Sequence, residues 1–172
     1  HCAGLPVEIH QGDVRQMDFS GAAFDAAIYL YGQFTVLKPE ESLDVLRRIR
    51  AALRPGGRLL LEVLDDARID KKDNMWWYTD EGGLWGDFPY LHFGERTWDA
   101  ERRAIIERFY ILNLESGHLD SYGLSDQAYT AEMLRAMLTA AGFANMTTHP
   151  AWDNLALNDA PEWCVVMAEA SS

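Results

Sequence analysis

The sequence predicts an α/β fold with a parallel core and an inserted antiparallel meander, and three observations carry that prediction. Residues 26–30 (Ala-Ala-Ile-Tyr-Leu) are short and continuously apolar, as in a strand buried on both faces. Leu43, Leu46, Ile49 and Leu53 then recur at steps of three, three and four, which makes one stripe of a helix, before residues 58–63 return to an apolar strand. Strand, helix and strand joined by short connections form a right-handed βαβ unit. After residue 63 the helical period disappears and β-type segments follow one another across short turns, the pattern of a meander.

Taken in order, residues 7–10 (Val-Glu-Ile-His) alternate like a short strand and run into a turn at Gln11-Gly12-Asp13-Val14. Met17 and Phe19 follow, and Gly21-Ala22-Ala23 breaks the pattern before the first core strand. Pro39 suits the first helical turn, where its missing N–H costs nothing, and Glu40 and Glu41 complement the helix dipole there. Pro55 ends the helix, and Gly56-Gly57 supplies the positive φ needed to reverse direction. Residues 65–73 are strongly charged and read as a loop or a short exposed helix. Residues 75–91 gather Trp76, Trp77, Tyr78, Trp85, Phe88 and Tyr90 around Gly82-Gly83 and Gly86. Segments 92–98, 104–114 and 118–129 are expected strands, with turns at 99–101 and 115–117. Thr130 is an expected N-cap for a helix whose stripe is Met133, Leu134, Met137, Leu138 and Ala141, stopped by Gly142. Residues 144–152 and 162–168 close the chain as a hairpin across a polar stretch at 153–161.

A chain of 172 residues is expected to be one domain, 1–172, with the insertion at about 65–129. The formal net charge of −12 repels polyanions, so neither nucleic acid nor an anionic membrane is an expected partner. Cys2 and Cys164 are too few and too far apart for a disulfide framework or a zinc site, and they fit a reducing, cytoplasmic setting. No apolar run reaches the length of a membrane span. Nor is there a Gly-x-Ser-x-Gly or Walker loop for hydrolase or phosphoryl chemistry. No histidine pair has helical metal-ligand spacing, so no metal is expected.

In open parallel sheets ligands bind beyond the carboxyl ends of the strands, which points at Tyr29, Leu30, Tyr31 and Gly32. Two readings stay open there: Tyr29 in the core with Tyr31 as pocket wall, or both in the site. Gln33 and Phe34 continue the wall, and Gln33 offers a donor and an acceptor to a polar substrate. The aromatic stretch, with Trp76, Trp77 and Tyr90, reads as a pocket lid, as the inner face of a sheet, or as a contact in a homodimer. His92, His118 and His149 titrate near neutrality, and His92 is the preferred general base because it follows the aromatic cluster. Arg96 is a candidate partner for a substrate carboxylate.

In this order and spacing, four motifs make the chain resemble the class I S-adenosylmethionine-dependent methyltransferases. They are Gly12-Asp13 after the expected strand at Val7, residues 24–32 (Phe-Asp-Ala-Ala-Ile-Tyr-Leu-Tyr-Gly), Leu53-Arg54-Pro55-Gly56-Gly57 leading into Arg58-Leu59-Leu60-Leu61, and Ala141-Gly142-Phe143 before a closing hairpin. The resemblance covers roughly residues 1–64 and 130–169. It implies a Rossmann-like methyltransferase sheet, S-adenosylmethionine as cofactor, and a small organic acceptor beneath the insertion. It also implies a cofactor site at Gly12, Asp13, Val14, Tyr29, Leu30 and Tyr31, with the Asp13 carboxylate accepting from the adenine amino group. The alternative for Asp13 is a turn aspartate that caps local backbone. The family's glycine-rich loop and ribose-binding acid have no counterpart in this sequence, so the chain is expected to be the C-terminal, inactive part of a longer enzyme. On that expectation the missing strands lie between the strands of Val7 and Ile28. The rival function is a catalytically silent methyltransferase-like binding module.

Overall fold

A computed structural model describes residues 4–19, 21, 23–149 and 162–171. The elements are β1 (Phe24–Tyr29), α1 (Pro39–Ala52), β2 (Leu53–Asp65), β3 (Asn74–Asp80), β4 (Tyr90–Asp99), β5 (Ala104–Asn113), β6 (Leu119–Tyr129), α2 (Ala131–Ala140), β7 (Phe143–His149) and β8 (Trp163–Ala170). The strands make one sheet in the order β3-β4-β5-β6-β2-β8-β7, with β1 also on β2. No helix among the described residues is long and apolar enough to cross a membrane.

β2 is the axis of the sheet. β8 runs antiparallel along one of its edges, from Arg58 opposite Glu169 to Leu64 opposite Trp163. The other edge is shared. β1 lies parallel along its first half, with Ala26 opposite Arg58 and Tyr29 opposite Leu61. β6 arrives parallel at its end, with Leu64 opposite Ala128 and Asp65 opposite Tyr129. Between the end of β1 and the arrival of β6 there is a notch, and the chain leaving β1 turns through it.

The βαβ expectation holds. Leu46 and Leu53 of the helical stripe are buried, and Leu43 and Ile49 pack partly against the same core. That core also takes Phe34, Val45, Leu59, Leu61, Val63, Tyr129, Leu134, Leu138, Phe143 and Val166. Glu41 accepts from the Lys38 backbone N–H at 3.0 Å, satisfying one donor at the start of α1. Thr130 caps α2 as expected, its Oγ1 accepting from Met133 N at 3.1 Å. The Pro-Gly-Gly segment falls inside the assigned β2, where the β1 pairing shifts register between Phe24 and Ala26. Gly56 takes φ 75°, and a Cβ on Gly57 would lie 2.9 Å from Arg54 O. This is a bulge that only glycine fits.

Three expectations are corrected. Residues 7–10 are irregular and exposed, and they form no strand. β1 therefore has no strand on its outer edge among the described residues, and Ile28 there is 62% exposed, so β1 is not buried on both faces. The insertion has four strands, because 74–80 form β3, paired with β4 from Asn74 opposite Arg96 to Asp80 opposite Tyr90. The aromatic run hid that strand: Trp76 and Tyr78 alternate with Met75 and Trp77, so both faces read as apolar. The closing hairpin is present as β7 and β8, and positions 150–161 lie outside the described residues.

Leu61 is fully buried at the centre of the sheet. Leu61→Ala is expected to lower stability by about 2–5 kcal/mol, read from the shift in urea midpoint at unchanged m-value.

Candidate active site

The notch on β2 is built by backbone conformation first. Tyr31 and Gly32 both take left-handed φ, 61° and 64°, reversing the chain at the carboxyl end of β1. A non-glycine residue in that region needs an external hold. The buried Glu62 of β2 supplies one, its Oε2 accepting from Tyr31 N at 2.6 Å. The Tyr31 ring consequently stands out from the surface, 89% exposed. Gly32 lies against Trp163, where an added Cβ would be 2.4 Å from Cη2 of the indole. The Thr35 hydroxyl is 2.6 Å from Gly32 O and 2.5 Å from Asp126 Oδ1. It has one hydrogen and cannot donate to both acceptors at once. Asp126 Oδ1 and Gly32 O therefore compete for it. Burial pushes the Asp126 carboxyl above its ordinary range, against the pull of the Thr35 hydrogen bond and of Arg96.

The insertion adds a charged wall beside this turn. Arg96 of β4 donates through Nη2 to Glu162 Oε1 at 3.0 Å, and its Nε lies 4.0 Å from Glu107 Oε1 without a hydrogen bond. Glu107 is the cross-strand partner of Arg96. Burial raises its pKa, against the pull of Arg96. Glu162 and Glu107, with Asp126 within reach of its charge, thus surround one guanidinium. The wall is held to the core by Asp66, which accepts a hydrogen bond from Arg103 Nη2 at 2.7 Å and forms an ion pair, without a hydrogen bond, with Lys71 Nζ at 3.2 Å.

On the other side of β1, Asp13 accepts from Arg15 N, Nε and Nη2, and Arg15 also reaches Glu41. These bonds hold the Asp13 carboxyl down at about 2, so it stays an ionised acceptor. The turn reading of Asp13 is what these bonds show: it caps its own turn, and both carboxylate oxygens are engaged by Arg15. Val14 packs on the core beside Tyr29. Burial, and secondarily the Asp13 charge, raise the Tyr29 phenol. Val14, Met17, Phe19 and Tyr29 share a cavity of about 290 Å³ with the α1 face. Of the expected cofactor residues, Val14 and Tyr29 thus line one cavity and Asp13 lies close enough for its charge to act on the Tyr29 phenol, while Tyr31 stands at the notch.

The expected substrate residues divide. Gln33 is exposed at the notch, its Nε2 3.5 Å from Tyr31 O. Arg96 is in the charged wall. Phe34 is a core residue, fully buried between Tyr29 and Tyr129 at ring distances of 5.6 and 5.8 Å, and its side chain lines no site. Tyr90 is likewise buried. His92 is also displaced from the notch. It lies four residues along β4 from Arg96, about 13 Å at ~3.3 Å per residue. Its Nδ1 pairs with Tyr78 OH at 2.7 Å, its Nε2 is buried without a partner, and Trp76, Trp85 and Phe109 enclose the ring. Burial lowers its pKa. That geometry does not suit a base at the notch. Trp76 belongs to the same aromatic cluster, and Trp77 points from the opposite face of the sheet, 74% exposed. Sequence reasoning missed Thr35, Glu62, Glu107, Asp126 and Trp163. For Glu107 the hairpin turn after Asp99 was an available signal, because it fixes which residue faces Arg96.

Residues 1–57 match the model of a methyltransferase domain family, a stretch that includes Gly12-Asp13, β1 and Pro55-Gly56-Gly57. No curated protein sequence matches the chain. The CcbJ methyltransferase of Streptomyces caelestis superposes with a TM-score of 0.71 at 15% identity, covering 94% of this chain and 62% of that one. The fold is shared with solved S-adenosylmethionine-dependent methyltransferases. An amino pentose methyltransferase of Micromonospora echinaspora, solved with S-adenosylmethionine bound, gives 0.64 at 22% identity, over 93% of this chain and 63% of that one. A sugar N-methyltransferase of Streptoalloteichus gives 0.66 at 16%, over 98% and 64%. The chain thus spans less than two thirds of the length of these methyltransferases.

The Asp126 carboxyl has a testable effect on stability. Its folded pKa lies above the unfolded value of 3.8, so between the two the folded state holds the proton more tightly. Raising the pH through that window removes a proton the folded state favours, so stability falls. Asp126→Asn removes this loss and keeps an amide for Thr35. Urea titrations from about pH 4 to about pH 7 are expected to show a smaller decline for the variant than for the wild type.

Proposed function

We propose that this chain supplies the acceptor side of an S-adenosylmethionine-dependent methyltransferase, and that the acceptor is a small amine. The observation that carries the reading is the notch beyond the carboxyl end of β1, walled by Tyr31, Gly32 and Trp163 on one side and by Arg96, Glu107 and Asp126 on the other. An excess of carboxyl groups over guanidinium favours a cationic or amine-bearing guest. Two of the similar structures are described as an amino pentose methyltransferase and a sugar N-methyltransferase, which supports the same acceptor class.

The residues at the β1 end fit the cofactor in their donor set. Asp13, ionised and acceptor-only, suits an exocyclic amine, and the Val14 N–H suits a ring nitrogen beside it. Tyr29, Leu30 and Tyr31 lie where the methionine portion would run. Bound there, S-adenosylmethionine supplies an activated methyl group on a sulfonium. The chain's own work is then to orient the amine and exclude water. An amine that accepted the methyl group would also have to lose a proton. Glu107 and Asp126, with pKa values raised by burial, are placed to receive it or relay it to solvent. The insertion at about 65–129 is the acceptor-covering part of this unit. The open edge of β1 is where a further parallel strand, bearing a glycine-rich loop for the rest of the cofactor, would pair.

Isothermal titration of the full-length protein with S-adenosylhomocysteine tests the cofactor. Saturable binding is expected, weakened roughly tenfold by Asp13→Ala through loss of a charged hydrogen bond. Absence of heat and of thermal stabilisation would replace the enzyme reading with the binding module. For the acceptor, Glu107→Gln and Asp126→Asn are each expected to lower kcat/KM on amine acceptors by roughly 10²-fold with little change in S-adenosylhomocysteine affinity.

A further inference from the structure

A second groove lies on the side of the insertion away from the charged wall. The register of β5 and β6 sets Ala104 opposite Gln127 and Ile106 opposite Ser125, on the face opposite to Glu107 and Asp126. The chain leaving the notch crosses the edge of β6, where Gln127 N donates to Thr35 O at 2.8 Å, and then enters α1. Between that crossing and the face of β5 and β6 is a groove of about 680 Å³, large enough for a small ligand. Val36, Pro39, Ala104 and Ile106 give it an apolar lining. Gln127 gives it a fixed polar group. That residue is 7% exposed, and its Nε2 donates to Arg102 O, Arg103 O and Ala128 O at 3.1, 3.0 and 2.9 Å. Three carbonyls around one nitrogen settle the amide orientation, because the flipped form would set Oε1 against all three. Oε1 has no donor among the described residues, so it is the atom that Gln127 offers to the groove. The Ser125 hydroxyl, two residues earlier on the same face, is exposed and starts about 7 Å away.

We propose that this groove binds a small hydroxyaryl carboxylic acid, with its ring on Ile106 and Val36, its hydroxyl on Gln127 Oε1 and Ser125, and its carboxylate towards Lys38 and Arg102. The charged residues of the lining are Lys38, Arg102 and Glu40, two cations against one carboxylate on a chain of −12. Arg102 uses Nη1 on Asp99 Oδ2 at 3.2 Å, and its exposed guanidinium keeps further donors. An anion is therefore attracted to this rim and repelled from most of the remaining surface. The surplus of one positive charge matches a monoanion. A ring hydroxyl supplies the donor that Gln127 Oε1 needs, whereas a hydrocarbon acid would displace water from that oxygen and leave it unpaired. The apolar lining favours a flat ring over a polyol. The notch, with its excess of carboxyl groups, and this groove, with its excess of cations, thus select guests of opposite charge. The proposal does not rest on the methyltransferase reading.

Amide NMR titration of the protein with 4-hydroxyphenylacetate tests the proposal. Saturable shifts are expected around residues 104–106 and 125–127, with a Kd of about 1 mM for a ligand of so few atoms. Phenylacetate, which lacks the hydroxyl, and 4-hydroxyphenylethanol, which lacks the charge, are each expected to bind about tenfold more weakly. Lys38→Glu and Ser125→Trp alter exposed side chains, so far-UV circular dichroism and melting temperature are expected to stay close to wild type while affinity falls about tenfold or more. Arg108→Glu, on the same face but outside the groove, is expected to bind like the wild type. A wild type without saturable shifts up to about 20 mM overturns the proposal. Binding that survives both Lys38→Glu and Ser125→Trp also overturns it, because the site then lies elsewhere. So does phenylacetate binding as tightly as its hydroxylated form, since Gln127 then plays no part.

Discussion

The architecture depends on one shared edge. β2 pairs along its whole working length with β8, but on its other side it gives its first half to β1 and its last two residues to β6. Two strands cannot occupy the same stretch of backbone, so the chain leaving β1 must turn away before β6 arrives. The left-handed pair Tyr31-Gly32, the Glu62 carboxylate that holds it and the indole of Trp163 follow from that requirement. The same geometry joins the parallel core to the antiparallel insertion, through Asp66 with Arg103 and Lys71. A chamber thus forms where the sheet changes character.

The electrostatics of the chamber follow from burial more than from pairing. Arg96 lies nearest Glu162, and its attraction does not overcome the desolvation of Glu107 or Asp126. Both carboxyl groups are thereby poised closer to neutrality than surface acids. Asp13, engaged on three nitrogen donors of Arg15, is driven the opposite way. Two populations of acid therefore flank β1: one fixed as an anion on the side of Asp13, one able to exchange protons on the side of the insertion. This separation of roles arises from local packing around similar side chains.

Much of the framework was legible in the sequence. The change from an apolar run to a three-three-four helical spacing fixed β1, α1 and β2, and Thr130 and Gly142 bounded α2 correctly. The parts that failed did so for physical reasons. Val7 to His10 alternates, but alternation states only which faces differ and supplies no partner, so no strand forms there. Trp76 and Trp77 marked an important region, yet consecutive aromatics point to opposite faces of a strand and so have different neighbours. His92 has the right chemistry for a base, but its distance from the notch follows from the register of β4, which the sequence did not reveal. Glu62 was invisible because it lies inside an apolar run that reads as core. Its value comes from a backbone N–H thirty-one positions earlier in the chain.

The parallel contact between Leu64–Asp65 and Ala128–Tyr129 also bears on how the molecule forms. Among themselves β3 to β6 pair as chain neighbours, so each of these contacts closes a short loop and the meander can assemble locally and early. The β2–β6 register and the β2–β8 pairing close much longer loops and carry the larger entropic cost. The joint between core and insertion, on which the notch depends, is therefore expected among the last contacts made. Weakening it would first release two partly folded modules, leaving the strands of each intact.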